Sequence, residues 1–340
     1  MAKRSFYVNE RELDDNQLIV LNKKVTKAVV VRGCAGSGKS LIALHRVKQI
    51  QEENIGSFYF ILFTKTLKQY MKDGIRELDL KDDRIIHFHQ WKYQNMPSAD
   101  FIIVDEIQDF SREDIMLFQS KANKSLSVFG DTAQQIYRFR IENPLSMDDI
   151  ASLTKISSNE LSMNYRLPKK IARLAEYISD IDDELEVRCK DEGVNLPKIL
   201  KFNSLDEELD KIIELIKGNS FEDVGIFFQT NADVKNAKEY FNNNGLTVEA
   251  KYNESMDLNF SNNLPKLTTY HSSKGLQFET VFIPNCENLY SDKQSALYVA
   301  ITRSYRDLFI MHSGNLSFFF DNVPTNLYET SLESKTRKRF

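Results

Sequence analysis

The run GCAGSGKS, from Gly33 to Ser40, holds the residues with the clearest chemical purpose. It fits the pattern G-x-x-x-x-G-K-[ST], in which the backbone N–H groups of a glycine-rich loop cradle phosphates. In such a loop Lys39 reaches the β- and γ-phosphates, and the Ser40 hydroxyl holds Mg²⁺. The predicted phosphate site therefore comprises Gly33, Cys34, Ala35, Gly36, Ser37, Gly38, Lys39 and Ser40. The sequence predicts that this chain binds a nucleoside triphosphate.

Two elements must flank the loop for it to work in this way, and the sequence predicts both. Residues 28–31 are a short run rich in valine, typical of a buried strand. From Leu41 to Gln51 the apolar residues recur at near-helical spacing. A strand, a loop and a helix N-terminus in this order direct N–H groups at one point, which suits a polyphosphate. A chance glycine loop before an ordinary helix is the alternative, and the flanking elements argue against it.

A second group of chemically capable residues follows another predicted strand, FIIVD at 101–105. A carboxylate at the end of a buried parallel strand lies at the sheet edge where such folds bind ligands. The phosphate loop opens from the same edge. We therefore expect Asp105 to hold Mg²⁺, directly or through water, and Glu106 to orient or deprotonate the attacking water. An exposed polar turn is the alternative interpretation.

Aromatic residues and arginines are interleaved after a further predicted strand at 126–130. Tyr137, Phe139 and Arg140 lie in the run DTAQQIYRFR. Rings beside arginines suit stacking on unpaired bases, which contributes about 1–3 kcal/mol per base. Packing between domains is the other interpretation of the two rings.

Bulk composition narrows the class of protein. The 340 residues are 41% hydrophobic and 28% charged, which is enough for two domains that each have a core. The net charge of −4 gives no global basic field, although a local groove can still be basic. The three cysteines are scattered, which is typical of a protein of the reducing cytoplasm. The sequence has no apolar run of membrane-spanning length and no apolar signal core, so we expect no membrane partner.

The second half of the chain again alternates predicted helices and strands, but it has no phosphate loop of its own. Residues 141–160 lack a strand pattern and are interpreted as a connecting helix and loop. The predicted fold class is therefore α/β, with parallel sheets flanked by helices. We expect a first domain at 1–157 and a second domain at 158–340.

Taken in order, the motifs resemble those of superfamily 1 DNA helicases of the UvrD, Rep and PcrA type, over nearly the whole chain. They include LDDNQ, the phosphate loop, FTK, FHQW, DEIQD, GDTAQQIYRFR, NYR, TTYHSSKGLQF and YVAITR. The resemblance implies two tandem RecA-like domains, ATP with Mg²⁺ as cofactors, and single-stranded DNA as partner.

The resemblance also implies roles for single residues. Gln17 reads adenine and Tyr165 stacks on it, while Gln134, Arg166 and Arg303 contact the γ-phosphate and Gly275 belongs to the coupling motif. An acidic residue expected near the ribose is replaced by Gln277, which bears on nucleotide selectivity. The implied DNA contacts are Phe63, Thr64, His89, Tyr137, Phe139, Arg140, His271 and Ser272.

Two short spacings depart from the family pattern, one between FTK and DEIQD and one between NYR and TTYHSSKG. They leave no room for the family's large accessory insertions, which engage duplex DNA. The sequence thus predicts a minimal motor that hydrolyses ATP and moves 3′→5′ on single-stranded DNA. We expect it to work with a partner effector such as a nuclease, in DNA repair or phage defence. A nucleotide-controlled switch that binds DNA or a protein without moving is the alternative, and RNA is not excluded as a substrate.

Overall fold

The computed structural model describes residues 8–137, 141–181, 184–219, 221–287 and 289–332. The chain divides into two compact units, one formed by Arg4–Arg166 and the other containing Leu167–Phe340. We call the first the phosphate-loop unit and the second the carboxyl-terminal unit. Each contains one six-stranded sheet in which every pairing is parallel. The predicted fold class, α/β with two tandem RecA-like domains, is confirmed.

The phosphate-loop unit alternates strands with helices along the chain. Its strands are β1 (Val29–Gly33), β2 (Phe58–Leu62), β3 (Ile85–His87), β4 (Ala99–Val104), β5 (Ala122–Gly130) and β6 (Ser158–Leu161). Its helices are α1 (Asp15–Leu21), α2 (Lys39–Glu52), α3 (Lys65–Tyr70), α4 (Lys72–Glu77), α5 (Phe88–Tyr93), α6 (Arg112–Lys121) and α7 (Met147–Thr154).

The sheet of this unit has the strand order β3-β2-β4-β5-β1-β6 and is covered on both faces. In β1, Val29 and Val31 belong to the hydrophobic cluster that includes α2, whereas Val30 belongs to the cluster that includes α6 and α7. Burial on both faces explains why the central strands are continuous apolar runs. The strand order places the carboxyl ends of β4, β5 and β1 side by side.

Three details differ from the sequence predictions. Residues 158–161 form an edge strand that pairs with β1, so the boundary predicted at 157/158 falls before the division at 166/167. This strand is polar and half-exposed, and for that reason it has no strand signature. The run RIIHFH at 84–89 predicts a short strand, but β3 ends at His87. The Nδ1 of His87 accepts the N–H of Gln90 at 3.3 Å and caps α5. His89 therefore lies on a helix.

The carboxyl-terminal unit has the strand order β7-β12-β11-β8-β10-β9. The strands are β7 (Lys198–Lys201), β8 (Val224–Phe228), β9 (Glu249–Ala250), β10 (Lys266–Thr269), β11 (Phe278–Ile283) and β12 (Ser304–His312). The helices are α8 (Lys169–Ile178), α9 (Leu185–Arg188), α10 (Leu205–Gly218), α11 (Asn231–Asn243) and α12 (Gln294–Ile301). Among the described residues, no helix has the length and apolar character needed to cross a membrane.

Candidate nucleotide-binding site

The phosphate loop connects the end of β1 to the start of α2, as predicted. Gly36 and Gly38 have φ angles of 74° and 87°, in the left-handed region that favours glycine. A Cβ at Gly36 would lie 2.3 Å from Asn164 Oδ1, and one at Gly38 would lie 2.5 Å from Gln17 Nε2. Both glycines are therefore required by backbone conformation and by close neighbours. Because Gly38 caps α2 without a side chain, the N–H groups of its first turn remain for an anion.

Lys39 is buried at 6% exposure and spans the loop. Its Nζ donates to the carbonyl oxygens of Gly33 at 2.8 Å and Cys34 at 2.9 Å. These bonds use two of the three ammonium donors and hold the charge over the loop. A polyphosphate bound by the loop N–H groups would meet this charge directly.

The residues predicted to hold Mg²⁺ lie together. The Ser40 hydroxyl donates to Asp105 Oδ2, and the Glu106 N–H donates to Asp105 Oδ1 at 2.9 Å. Burial, followed by the neighbouring charge of Glu106, raises the pKa of the Asp105 carboxyl well above its usual range. A divalent cation would offset the cost of a buried carboxylate charge, and carboxylate and hydroxyl oxygens are ligands that Mg²⁺ accepts. The Asp105 and Ser40 side chains therefore fit Mg²⁺. Such an ion would neutralise charge on the β- and γ-phosphate oxygens.

A chain of hydrogen bonds links Glu106 to Gln134 through two residues to which the sequence assigned no role. Gln108 Nε2 donates to Glu106 Oε2 at 2.6 Å, and Gln108 Oε1 accepts the Asp131 N–H at 3.0 Å. Asp131 Oδ2 in turn accepts Gln134 Nε2 at 2.6 Å. Glu106 has a φ of 55°, a strained conformation for a residue with a side chain, of the kind that clusters at functional sites. The predicted water-activating and γ-phosphate-sensing residues are therefore part of one network.

Gln17 and Tyr165 both contact the phosphate loop. Gln17 Nε2 donates to the Ser37 carbonyl at 2.9 Å, and the Tyr165 N–H donates to the Gly36 carbonyl at 3.1 Å. Their side chains are also linked, because the Tyr165 hydroxyl donates to the carboxylate of Asp14, which caps α1. Burial, together with this bond, raises the pKa of the Tyr165 hydroxyl, so it remains a donor. Asp14, to which the sequence motifs assign no role, thus links the two predicted base-contacting residues.

Arg166 ends the phosphate-loop unit, although the sequence predicts a second domain that begins at residue 158. Its N–H donates to Asn164 Oδ1 at 2.8 Å, the oxygen that lies against Gly36. The NYR segment is held to the loop by these contacts, and that is why it belongs to this unit.

The predicted nucleic-acid contacts of the phosphate-loop unit follow the ends of its strands. Phe63 follows β2 and packs against Phe110 and Tyr137, with ring centroids 5.1 and 4.9 Å away. Tyr137 is buried, Thr64 caps α3 by accepting the Leu67 N–H, and His89 is exposed on α5. Phe139 and Arg140 lie outside the described residues.

The remaining predicted site residues belong to the carboxyl-terminal unit. His271 and Ser272 are half-buried in a short 3₁₀ helix, and Gly275 has a φ of 82°. Gln277 is buried. Arg303 is also buried: its Nε donates to the Val299 carbonyl at 2.8 Å. The DNA contacts predicted for His271 and Ser272 remain predictions, as do the nucleotide-site roles predicted for Gly275, Gln277 and Arg303.

Comparisons with known proteins identify the family of the chain. The family described as the viral superfamily 1 RNA helicase core domain matches residues 29–312. The chain is 23% identical over 333 residues to a putative ATP-dependent DNA helicase of Acanthamoeba polyphaga mimivirus, an alignment that covers 87% of this chain and 44% of that protein. It is 30% identical over 170 residues to the ATP-dependent DNA helicase PcrA of Bacillus subtilis, covering 46% of this chain and 22% of PcrA. The chain spans less than half the length of these curated relatives.

Two solved helicase structures are also similar. The PRRSV helicase matches with a TM-score of 0.48 and 16% identity, over 87% of this chain and 54% of that one. Arterivirus nonstructural protein 10, a helicase, matches with a TM-score of 0.47 and 15% identity, over 90% of this chain and 63% of that one. Because the family match extends from β1 to β12, the chain belongs to the superfamily 1 helicases, in the family of the viral superfamily 1 RNA helicase core domain.

Proposed function

We propose that the chain is a minimal helicase motor of the UvrD type that hydrolyses ATP with Mg²⁺ and moves 3′→5′ along single-stranded DNA. One observation carries the hydrolytic part of the proposal. The Lys39 ammonium bonds the phosphate loop, and Ser40 bonds Asp105, whose neighbour Glu106 begins the network that reaches Gln134. These are the groups that phosphoryl transfer to water requires.

Each group has a distinct part in the proposed reaction. The loop N–H groups and Lys39 balance the charge of the β- and γ-phosphates. Glu106 accepts a proton as a water oxygen forms a bond to the γ-phosphorus, while the bond from that phosphorus to the bridging oxygen breaks and ADP leaves. Gln134 senses the γ-phosphate. Arg166 and Arg303 are proposed to contact the same phosphate, a kind of contact that contributes roughly 10³–10⁵ in rate.

The nucleic-acid part of the proposal rests on the family and on the positions of the predicted contacts. Phe63, Thr64 and His89 all follow or lie beyond the carboxyl ends of strands in the phosphate-loop unit. His271 and Ser272 follow β10 in the same way. The curated relatives named above are DNA helicases, whereas the matching family is named for RNA helicases. We favour DNA because the motif series resembles the DNA-directed type, and RNA is the competing substrate.

A partner effector is proposed because the motor core has little room for an accessory domain between its strands. Between β2 and β4 the chain forms only short elements, so the room for an accessory domain is absent there. Among the described residues, no three His, Cys, Asp or Glu side chains gather as a metal cluster that would suggest a nuclease. Metal-dependent cleavage of DNA by the purified chain alone would contradict the need for a separate nuclease.

The decisive experiment measures ATP hydrolysis by the purified chain with single-stranded DNA, duplex DNA, single-stranded RNA or no nucleic acid. Lys39→Ala, which removes the ammonium over the loop, is the control and should abolish turnover. Strong stimulation by single-stranded DNA alone supports the proposal, and stimulation by RNA alone reassigns the substrate. Hydrolysis that is indifferent to every nucleic acid favours a nucleotide-controlled switch. Translocation on DNA labelled at its 3′ or 5′ end then tests the direction.

A further inference from the structure

Asp14 contacts both of the residues proposed to bind the nucleotide base. Its Oδ1 accepts the Gln17 N–H at 2.7 Å, and its own N–H donates to Gln17 Oε1 at 3.0 Å. Its second carboxylate oxygen, Oδ2, accepts the hydroxyl of Tyr165, which lies 151 positions further along the chain. A residue that only capped α1 would need the first two bonds and not the third.

The contacts of Gln17 fix the direction of its amide. Oε1 points to the Asp14 N–H, and Nε2 points to the Ser37 carbonyl at 2.9 Å. Since an amide has two N–H donors and two acceptor lone pairs, one of each remains for a ligand. Adenine presents an acceptor at N7 beside a donor at N6, whereas guanine presents two acceptors at N7 and O6. An amide held in one direction therefore suits adenine.

Tyr165 is held at both of its ends. Its backbone N–H donates to the Gly36 carbonyl at 3.1 Å, and its hydroxyl donates to Asp14. The ring between these two points is half-buried and restricted in its movement. A stacking surface that is already ordered loses less conformational entropy when a ligand binds.

We propose that Asp14 is a positioning residue of the base site: its carboxylate ties the Tyr165 ring to the Gln17 segment in the arrangement that receives adenine. The inference rests on the proposed function as an ATPase. Asp14 does not touch the base. It acts through the two residues that it holds, so its loss should weaken nucleotide binding and leave the chemical step unchanged.

Two substitutions separate this role from simple helix capping. Asp14→Ser keeps an N-cap of comparable strength but has one short oxygen, which cannot bond both Gln17 and Tyr165. Tyr165→Phe keeps the ring and removes only the hydroxyl. The control is Tyr240→Phe, which breaks a similar bond from a tyrosine hydroxyl to Asp210 Oδ1, 2.9 Å long, in the carboxyl-terminal unit.

The experiment measures the Kd of AMP-PNP and GMP-PNP by calorimetry with Mg²⁺ present, together with kcat, KM and Tm. We expect Asp14→Ser and Tyr165→Phe each to weaken AMP-PNP binding by about two- to tenfold, the effect of one net hydrogen bond. The double variant should bind no more weakly than the weaker single variant, because both substitutions remove the same bond. In Asp14→Ser the kcat should remain at the wild-type value. Tm should fall no more than in Tyr240→Phe, and the preference for AMP-PNP over GMP-PNP should persist.

Wild-type affinity in Tyr165→Phe would overturn the inference, as would losses that add in the double variant. A loss of kcat at unchanged affinity would overturn it too. When the wild-type chain binds AMP-PNP and hydrolyses ATP, any of these three results counts against the role of Asp14 and leaves the proposed function intact. If the wild type neither binds AMP-PNP nor hydrolyses ATP, the proposed function fails and the inference fails with it.

Discussion

Replacing Gln108 by methionine tests whether the network behind Glu106 serves catalysis. The two side chains have similar volume, but methionine cannot make the bonds to Glu106 Oε2 and to the Asp131 N–H. A hydrogen bond to a charged group contributes about 1.5–3 kcal/mol. If this bond orients Glu106 in the transition state, kcat should fall by about 10- to 100-fold, at about 1.4 kcal/mol for each factor of ten.

The same substitution has a separate effect on stability. The buried Asp131 N–H loses its acceptor, at a cost of about 1–3 kcal/mol. For a unit of this size, Tm shifts by roughly 2–4 °C for each kcal/mol. KM for ATP should change little, since the side-chain bonds of Gln108 go to Glu106 and Asp131 and not to the phosphate loop. The assay is steady-state hydrolysis at saturating nucleic acid, with Tm measured on the same samples.

Gln135→Met is the matched control. Gln135 is also buried, and its Nε2 donates to the Gln108 backbone carbonyl at 2.6 Å, but it does not bond to Glu106. It should lower Tm to a similar degree and leave kcat near the wild-type value. Equal losses of kcat in the two variants would mean that the network only supports the fold. A normal kcat in Gln108→Met would refute the orienting role directly.

Three further outcomes follow from single features. Gly36→Ala should weaken AMP-PNP binding at least about tenfold and lower Tm, because φ is 74° and the new Cβ would meet Asn164 Oδ1 at 2.3 Å; calorimetry checks this. Burial raises the Glu208 pKa from 4.5 to about 7, so the stability that the protonated carboxyl contributes is complete below pH 4.5 and is lost as pH rises through 7, by up to about 3 kcal/mol. Glu208→Gln should therefore remove part of the fall in Tm between pH 4.5 and 7, and an unchanged profile would contradict it. Phe139→Ala should weaken single-strand binding, measured by fluorescence anisotropy, while basal hydrolysis persists; equal loss of both would indicate a packing role.

Sequence patterns predicted the parts of this molecule that local physics determines. The phosphate loop needs glycines at fixed positions, and Asp105 follows an apolar strand, so both could be located without coordinates. The central strands β4 and β8 were predictable for the same reason, since burial on both faces makes them apolar throughout. The edge strand β6 was not predictable, because three of its four residues are polar and wholly or partly exposed.

The roles of Gln108 and Asp14 required the fold. Each acts through hydrogen bonds to residues that tertiary structure brings near, such as the bond from Asp131 to Gln108 across 23 positions. Glutamine within DEIQD and aspartate within LDDNQ were visible in the sequence, yet their types alone are typical of surface turns and helix caps. The roles of Gln108 and Asp14 follow from their hydrogen-bond partners and not from their residue types.

The backbone of Gly36 connects the phosphate loop to the end of the phosphate-loop unit. Its carbonyl accepts the Tyr165 N–H at 3.1 Å, and the next residue, Arg166, ends the unit. Asn164 Oδ1 occupies the space left by the missing Gly36 side chain and accepts the Arg166 N–H at 2.8 Å. A phosphate that shifts the loop therefore acts on the backbone immediately before the chain enters the carboxyl-terminal unit. Because closely packed groups transmit displacements, binding of a phosphate to the loop should displace the backbone at Leu167. The displacement would pass only through Asn164, Tyr165 and Arg166.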